Sequence, residues 1–131
     1  MIEFFIPGPP PTVTHQQHQI AVRNGRPVVY EPGRLKAARE QFRLGVYPHR
    51  PEKPLTGPLR LTCKWCFPLN SRHRDDGEYK ATRPDTDNLQ KLLKDVMTVA
   101  GFWQDDAQIA SEISEKFYAA VPGIYIRVET L

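Results

Sequence analysis

Arg83-Pro-Asp-Thr-Asp-Asn-Leu-Gln-Lys91 is the stretch on which both the fold and the chemistry turn. Asp85 and Asp87 stand one residue apart, and Lys91 follows the second by four. Leu89, Leu92, Leu93, Val96 and Val99 or Ala100 then recur at helical spacing and predict a helix over residues 87–100. Asp87 or Thr86 can cap its start, and Gly101 sits where a left-handed C-cap is expected. Lys91 is one turn beyond Asp87, so the two side chains project from the same face. The helix N-terminus adds a positive partial charge, which favours ionised aspartates and a bound phosphate.

Downstream, Phe102-Trp103 leads into a second acidic pair, Asp105-Asp106. Residues 107–119 alternate, with Ile109, Ser111, Ile113, Glu115 and Phe117 on one face, and residues 123–130 form a last strand. Upstream lies a long polar segment, residues 68–84, without apolar periodicity. A loop of that length in a small domain is functional or mobile, and mobility without a ligand is expected. Arg72, Arg74, Lys80 and Arg83, with His73 among them, make it basic just before the acidic motif. Before it, residues 59–67 are the clearest strand, with Leu59, Leu61, Cys63, Trp65 and Phe67 on one face and Arg60, Thr62, Lys64 and Cys66 on the other. Cys63 and Cys66 are three apart on that strand, so their thiols point to opposite faces. With no second C-x-x-C for a zinc site, they read as structural.

Residues 33–46 are a helix by the spacing of Leu35, Ala38, Phe42 and Val46. Lys36, Arg39 and Arg43 form a stripe on its other side, either a solvated face or a phosphate-facing one. Residues 1–6 are a strand stopped by the proline cluster Pro7 to Pro11. Asn24-Gly25 predicts a hairpin turn between residues 20–23 and 26–30, with Arg23 and Arg26 at its tip. His15 and His18 have no third nitrogen or sulfur ligand nearby and read as solvated loop histidines.

The chain of 131 residues is long enough for one domain with its own core, and one domain over residues 1–131 is expected. Two helices and a few strands predict an α+β fold with a small mixed or antiparallel sheet. Its 40% apolar and 25% charged residues are ordinary for a globular protein. No apolar run approaches the roughly 20 residues that span a bilayer. The N-terminus has no signal-peptide pattern, so a cytoplasmic protein that does not bind membranes is expected. The net charge of +3 mildly favours a polyanionic partner.

Clustered carboxylates repel unless neutralised, and a hard divalent cation is the usual neutraliser. If the chain folds back at Gly101, Asp105 and Asp106 return toward the helix start. Two or three carboxylates with one ammonium nearby suit metal-assisted phosphodiester hydrolysis, in which bound ions activate water and stabilise the leaving oxygen. Lys91 can neutralise transition-state charge or orient the water, and the basic loop supplies affinity for a nucleic-acid backbone. Simple capping by Asp85 or Asp87, or a plain turn at Asp105-Asp106, competes with this reading. A calcium loop does not, because Leu89 and Gln90 occupy the positions where an EF-hand needs oxygen and glycine.

Asp85-Thr-Asp-Asn-Leu-Gln-Lys91 followed by Ala100-Gly-Phe-Trp-Gln-Asp-Asp-Ala-Gln-Ile109 resembles the RusA family of Holliday junction resolvases. Ile6-Pro-Gly-Pro-Pro10 and the final strand fit more loosely. The resemblance implies a small α+β homodimer that binds four-way DNA junctions and, with Mg²⁺ (or Mn²⁺ in its place), cuts two symmetrically related strands. It places the three catalytic, metal-holding aspartates on Asp85, Asp87 and Asp106 and the essential lysine on Lys91, with Asp105 in a secondary role. It implies no small-molecule cofactor, and a gene carried by a phage or prophage of a bacterial host. A junction-binding protein without turnover, and a nuclease for flaps or forks, are the alternatives. The chain departs from many relatives in lacking an arginine-rich pattern at residues 15–19 and in a longer loop at 70–82 that carries Asp75, Asp76 and Glu78.

Overall fold

The computed structural model describes residues 1–12, 19–30 and 33–131. Strand β1 (Ile2–Pro7) is followed by the hairpin β2 (Gln19–Arg23) and β3 (Arg26–Tyr30), then helix α1 (Gly33–Val46). Strand β4 (Leu59–Pro68), the two-residue β5 (Glu78–Tyr79), helix α2 (Thr86–Ala100), β6 (Ile109–Ala119) and β7 (Gly123–Thr130) complete the chain. Five strands form one sheet in the order β1-β7-β4-β6-β5, and β2-β3 form a separate two-stranded sheet. All neighbours are antiparallel except β4 and β6. The result is an α+β fold with a mixed sheet, as the residue patterns predict. His15 and His18 lie outside the described residues.

The helix-spaced and strand-alternating residues build one core. Leu59, Leu61, Cys63, Trp65 and Phe67 of β4 are buried with Ile124, Ile126 and Val128 of β7 and Phe4 and Ile6 of β1. Leu35, Ala38, Phe42 and Val46 of α1, and Leu89, Leu92, Leu93, Val96 and Met97 of α2, join the same cluster. Each such side chain contributes about 1.5–3 kcal/mol by leaving water. Cys63 is buried and Cys66 half-buried, both free thiols. The β2–β3 turn has Asn24 at φ 53° and Gly25 at φ 73°, the positive values an Asn-Gly hairpin turn requires.

Three details depart from the residue patterns. Helix α2 begins at Thr86, and Asp85 rather than Thr86 or Asp87 is its N-cap. Strand β6 begins at Ile109, because Asp106–Gln108 form a 3₁₀ turn. The face shared by Ile109, Ser111, Ile113, Glu115 and Phe117 is broken by a register shift opposite Leu59 and Arg60. Beyond it Glu112, Ser114, Lys116 and Tyr118 pair with Leu61, Cys63, Trp65 and Phe67, so these four, and not Ser111 to Phe117, share the side of β4's buried residues. A one-residue irregularity exchanges the two faces of everything after it.

That exchange gives α2 a polar seam with β6. Lys94 Nζ donates to Glu112 Oε2 at 2.9 Å. Ser114 Oγ donates to Gln90 Oε1 at 3.1 Å, and Trp65 Nε1 reaches both Gln90 Oε1 and Ser114 Oγ. The parallel β4–β6 pair needs a crossover between its strands, and α2 lies in that connection.

Candidate active site

Asp85 has extended backbone, φ −74° and ψ 142°, and its carboxylate makes no capping hydrogen bond. Capping therefore does not account for it. Asp87 Oδ1 accepts from the backbone N–H of Asn88 at 3.0 Å. Both aspartates are exposed at the N-terminal end of α2.

Lys91 of α2 faces the second acidic pair. Its Nζ lies 3.3 Å from Asp95 Oδ1 and 3.7 Å from Asp106 Oδ2. The chain reverses after α2 through Gly101, at φ 92°, whose N–H reaches the carbonyls of Met97 and Thr98. The hydrogen bond to Asp95 is the largest influence raising the Lys91 pKa, followed by the charges of Asp95 and Asp106. Lys91 thus stays an ammonium at neutral pH, suited to electrostatic stabilisation of phosphate charge rather than to accepting a proton. Asp95 did not emerge from the sequence reading, although its i+4 spacing from Lys91 was the available signal.

Asp106 rests on a rigid turn. Asp105 is the N-cap, and its Oδ1 accepts from Ala107 N at 2.8 Å. Gln108 Oε1 accepts from the N–H of Gln104 and Asp105. Gln108 Nε2 donates to the carbonyls of Leu55 and Gly57, at 3.0 and 3.1 Å. Asp105-x-x-Gln108 is a capping box, a spacing that is visible in sequence and gives physical form to the plain-turn alternative for Asp105. Asp105 is occupied in holding the turn, while the Asp106 carboxylate is directed at Lys91.

Among the described residues no three carboxylate, imidazole or thiol side chains are gathered closely enough to hold a metal ion. Asp106 is brought to Lys91, but Asp85, Asp87 and Asp106 do not form a closed cage. The donor chemistry still fits Mg²⁺. This ion takes one or two carboxylates and fills its remaining positions with water and substrate phosphate oxygens.

The basic segment before Asp85 is more structured than its polarity suggests. Asn70 and His73 exchange backbone hydrogen bonds, and Asn70 Oδ1 accepts from the N–H of Arg72 and His73. His73 stacks on Tyr118 with centroids 4.1 Å apart, and β5 pairs with β6. Lys80 Nζ donates to Thr82 Oγ1 at 2.8 Å and lies over the rings of Phe67 and Tyr118. Arg74 Nε donates to Ser71 O. Arg72, Arg74, Arg83 and Arg26 are exposed, and Arg23 stands opposite Arg26 at the end of the hairpin. On α1, Arg43 forms an ion pair with Glu40 at 2.6 Å.

Residues 7–129 match the sequence profile of the family described as Endodeoxyribonuclease RusA. A protein of Bacillus subtilis (strain 168), described as Uncharacterized protein YqaN, is 28% identical over 137 residues, which cover 97% of this chain and 94% of that protein. A protein of Lactococcus phage r1t, named Crossover junction endodeoxyribonuclease rusA, is 38% identical over 52 residues, covering 40% of this chain and 39% of that protein.

Proposed function

The chain belongs to the RusA endodeoxyribonuclease family, and from that premise we propose that it resolves four-way DNA junctions by paired, symmetric, Mg²⁺-dependent cleavage in recombination and repair. The observation that carries this reading is the Asp85 carboxylate, which occupies the N-cap of α2 and leaves capping unmade. An ionised group exposed at a helix N-terminus without a structural task is free for a cation and a phosphate. The phage protein named for crossover junctions supports the choice of substrate, and supports a phage or prophage origin with action in the bacterial cytoplasm.

In this mechanism Asp85, Asp87 and Asp106 would hold the divalent ion, with Mn²⁺ able to replace Mg²⁺. Such an ion, when bound, would supply Lewis-acid activation of a water and neutralisation of the leaving oxygen. Lys91, kept charged by Asp95 and Asp106, places its ammonium beside the phosphate. Asp105 acts indirectly by fixing the Asp106 turn. Arg72, Arg74, Lys80, Arg83, Arg23 and Arg26 contact the DNA backbone, which gives salt-dependent affinity without reading sequence. One RusA-like domain over residues 1–131 forms a homodimer. Its twofold axis sets one site on each of two opposed strands of a junction, whose symmetry is approximately the same.

A synthetic four-way junction, a flap and a linear duplex, each incubated with and without Mg²⁺, test this reading. Metal-dependent conversion of the junction into two nicked duplexes, with the duplex left intact, is the expected result. Preferred cutting of the flap would move the substrate to another branched DNA. Tight junction binding with no cutting in either Mg²⁺ or Mn²⁺ would make the protein a binder without turnover.

A further inference from the structure

Lys116 lies on the α2 side of β6, opposite Trp65 in the parallel register. Its Nζ donates to the carbonyl of Thr82 at 2.5 Å and to that of Pro84 at 2.8 Å. These carbonyls bracket Arg83, and the second belongs to the residue before Asp85. Thr82 is held a second time through its hydroxyl, which accepts from Lys80. Pro84 is buried while Asp85 beside it is exposed. The segment is thus fixed from beneath by one ammonium and presents its carboxylate outward.

A neutral donor could tie a strand to a loop. An ammonium at this place is harder to keep, because burial, and then the nearby Lys80, both disfavour its charge. The charge of Asp85 acts in the opposite direction and favours it. Two of the three ammonium N–H groups are engaged by carbonyls, which fixes the cation in one place under the helix start. The contacts span 34 and 32 residues, so no local pattern produces them.

We propose that Lys116 is a positioning residue for Asp85, clamping the Thr82 and Pro84 carbonyls so that the Asp85 carboxylate is held where metal and phosphate meet it. This rests on the proposed role of Asp85 as a metal ligand. Lys116 does not touch the DNA. Its removal loosens the segment that carries the ligand and leaves junction affinity unchanged.

The test compares Lys116→Met, Lys116→Arg and Asp85→Asn in four measurements: thermal unfolding, junction affinity without metal, Mn²⁺ binding to the protein alone by calorimetry, and single-turnover cleavage with Mg²⁺. Lys116→Met should weaken Mn²⁺ binding and slow cleavage, each by about 10- to 100-fold, as loss of a group that orients a metal ligand does. Its junction affinity should stay at the wild-type level. Lys116→Arg should regain much of both, since a guanidinium fork can still donate to two carbonyls. If Lys116→Met does not fold, Lys116→Gln, which keeps a donor without the charge, should show the same pattern to a smaller extent. Wild-type cleavage and Mn²⁺ binding in Lys116→Met or Lys116→Gln, with Asp85→Asn inactive, would overturn the positioning role alone. Loss of junction affinity in step with cleavage would overturn it by making Lys116 a phosphate contact. Full activity in Asp85→Asn would instead remove the reading of Asp85 on which the inference stands.

Discussion

The segment Thr82 to Asp87 and the turn Asp105 to Gln108 each present an aspartate beside α2, and in each a side chain that bonds two or more backbone groups is the main holder. In the turn the holder is Gln108, a neutral amide three residues from the cap it completes, with bonds to Gln104, Asp105, Leu55 and Gly57. In the other segment the holder is Lys116, a cation brought from a distant strand. The amide needs no counter-charge and ties the turn to the carbonyls of Leu55 and Gly57. The ammonium brings its charge near Asp85 as well as hydrogen bonds to the carbonyls of Thr82 and Pro84, so support and electrostatics cannot be separated there. The backbone that carries Asp106 is therefore held by a neutral group, with the Lys91 ammonium reaching its carboxylate separately, whereas at Asp85 the holder of the backbone is itself the cation.

The largest expected effect falls where the two segments act together. Asp87→Asn should abolish junction cleavage while leaving junction binding intact, as read by gel shift and single-turnover assay. Lys91 pairs with Asp95 and Asp106, and Lys91→Gln should slow cleavage by about 10²- to 10³-fold, the usual cost of losing one charge-stabilising donor. Its pH behaviour follows from the raised pKa. The ion pairs with Asp95 and Asp106 are fully present below the ordinary value of 10.5 and are lost only as pH rises through the higher folded value. Wild type and Lys91→Arg should therefore show no alkaline limb due to this residue below that ordinary value.

Smaller effects separate the two supports. Gln108→Ala should lower unfolding free energy by about 1–2 kcal/mol, as loss of a capping group does, measured by urea denaturation. It should leave Mn²⁺ affinity nearer wild type than Lys116→Met does. An equal loss of Mn²⁺ affinity in both variants would erase the distinction between a neutral and a charged support. Gly101→Ala should cost about 1 kcal/mol, because the residue sits at φ 92°, in the left-handed region that L side chains resist. Its thermal midpoint should fall with little change in cleavage rate.

The same contrast explains what sequence could and could not reveal. The β4 alternation, the α1 and α2 stripes and the Asn24-Gly25 turn are local patterns, and each marks its element within a residue or so. Strand β5 has two residues, too few for any period. The register shift opposite Leu59 and Arg60 depends on how β4 and β6 pair, so residue alternation placed Ile109 on the face of Ser111 to Phe117, and nothing local marked Lys116 as lying under the Asp85 segment. Asp105-x-x-Gln108 and Lys91-x-x-x-Asp95 are local spacings, legible in the chain without the fold. Asp85 was visible as an acid beside a helix. Whether its carboxylate caps that helix was not, because capping depends on a side-chain torsion that composition does not encode.

Single-turnover cleavage of a synthetic four-way junction by wild type, Asp85→Asn and Asp106→Asn at saturating Mg²⁺ tests the shared site most directly. The wild type should yield two nicked duplexes, and both variants should bind the junction without cutting it. Wild-type cutting by either variant would contradict the claim that the two segments serve one reaction.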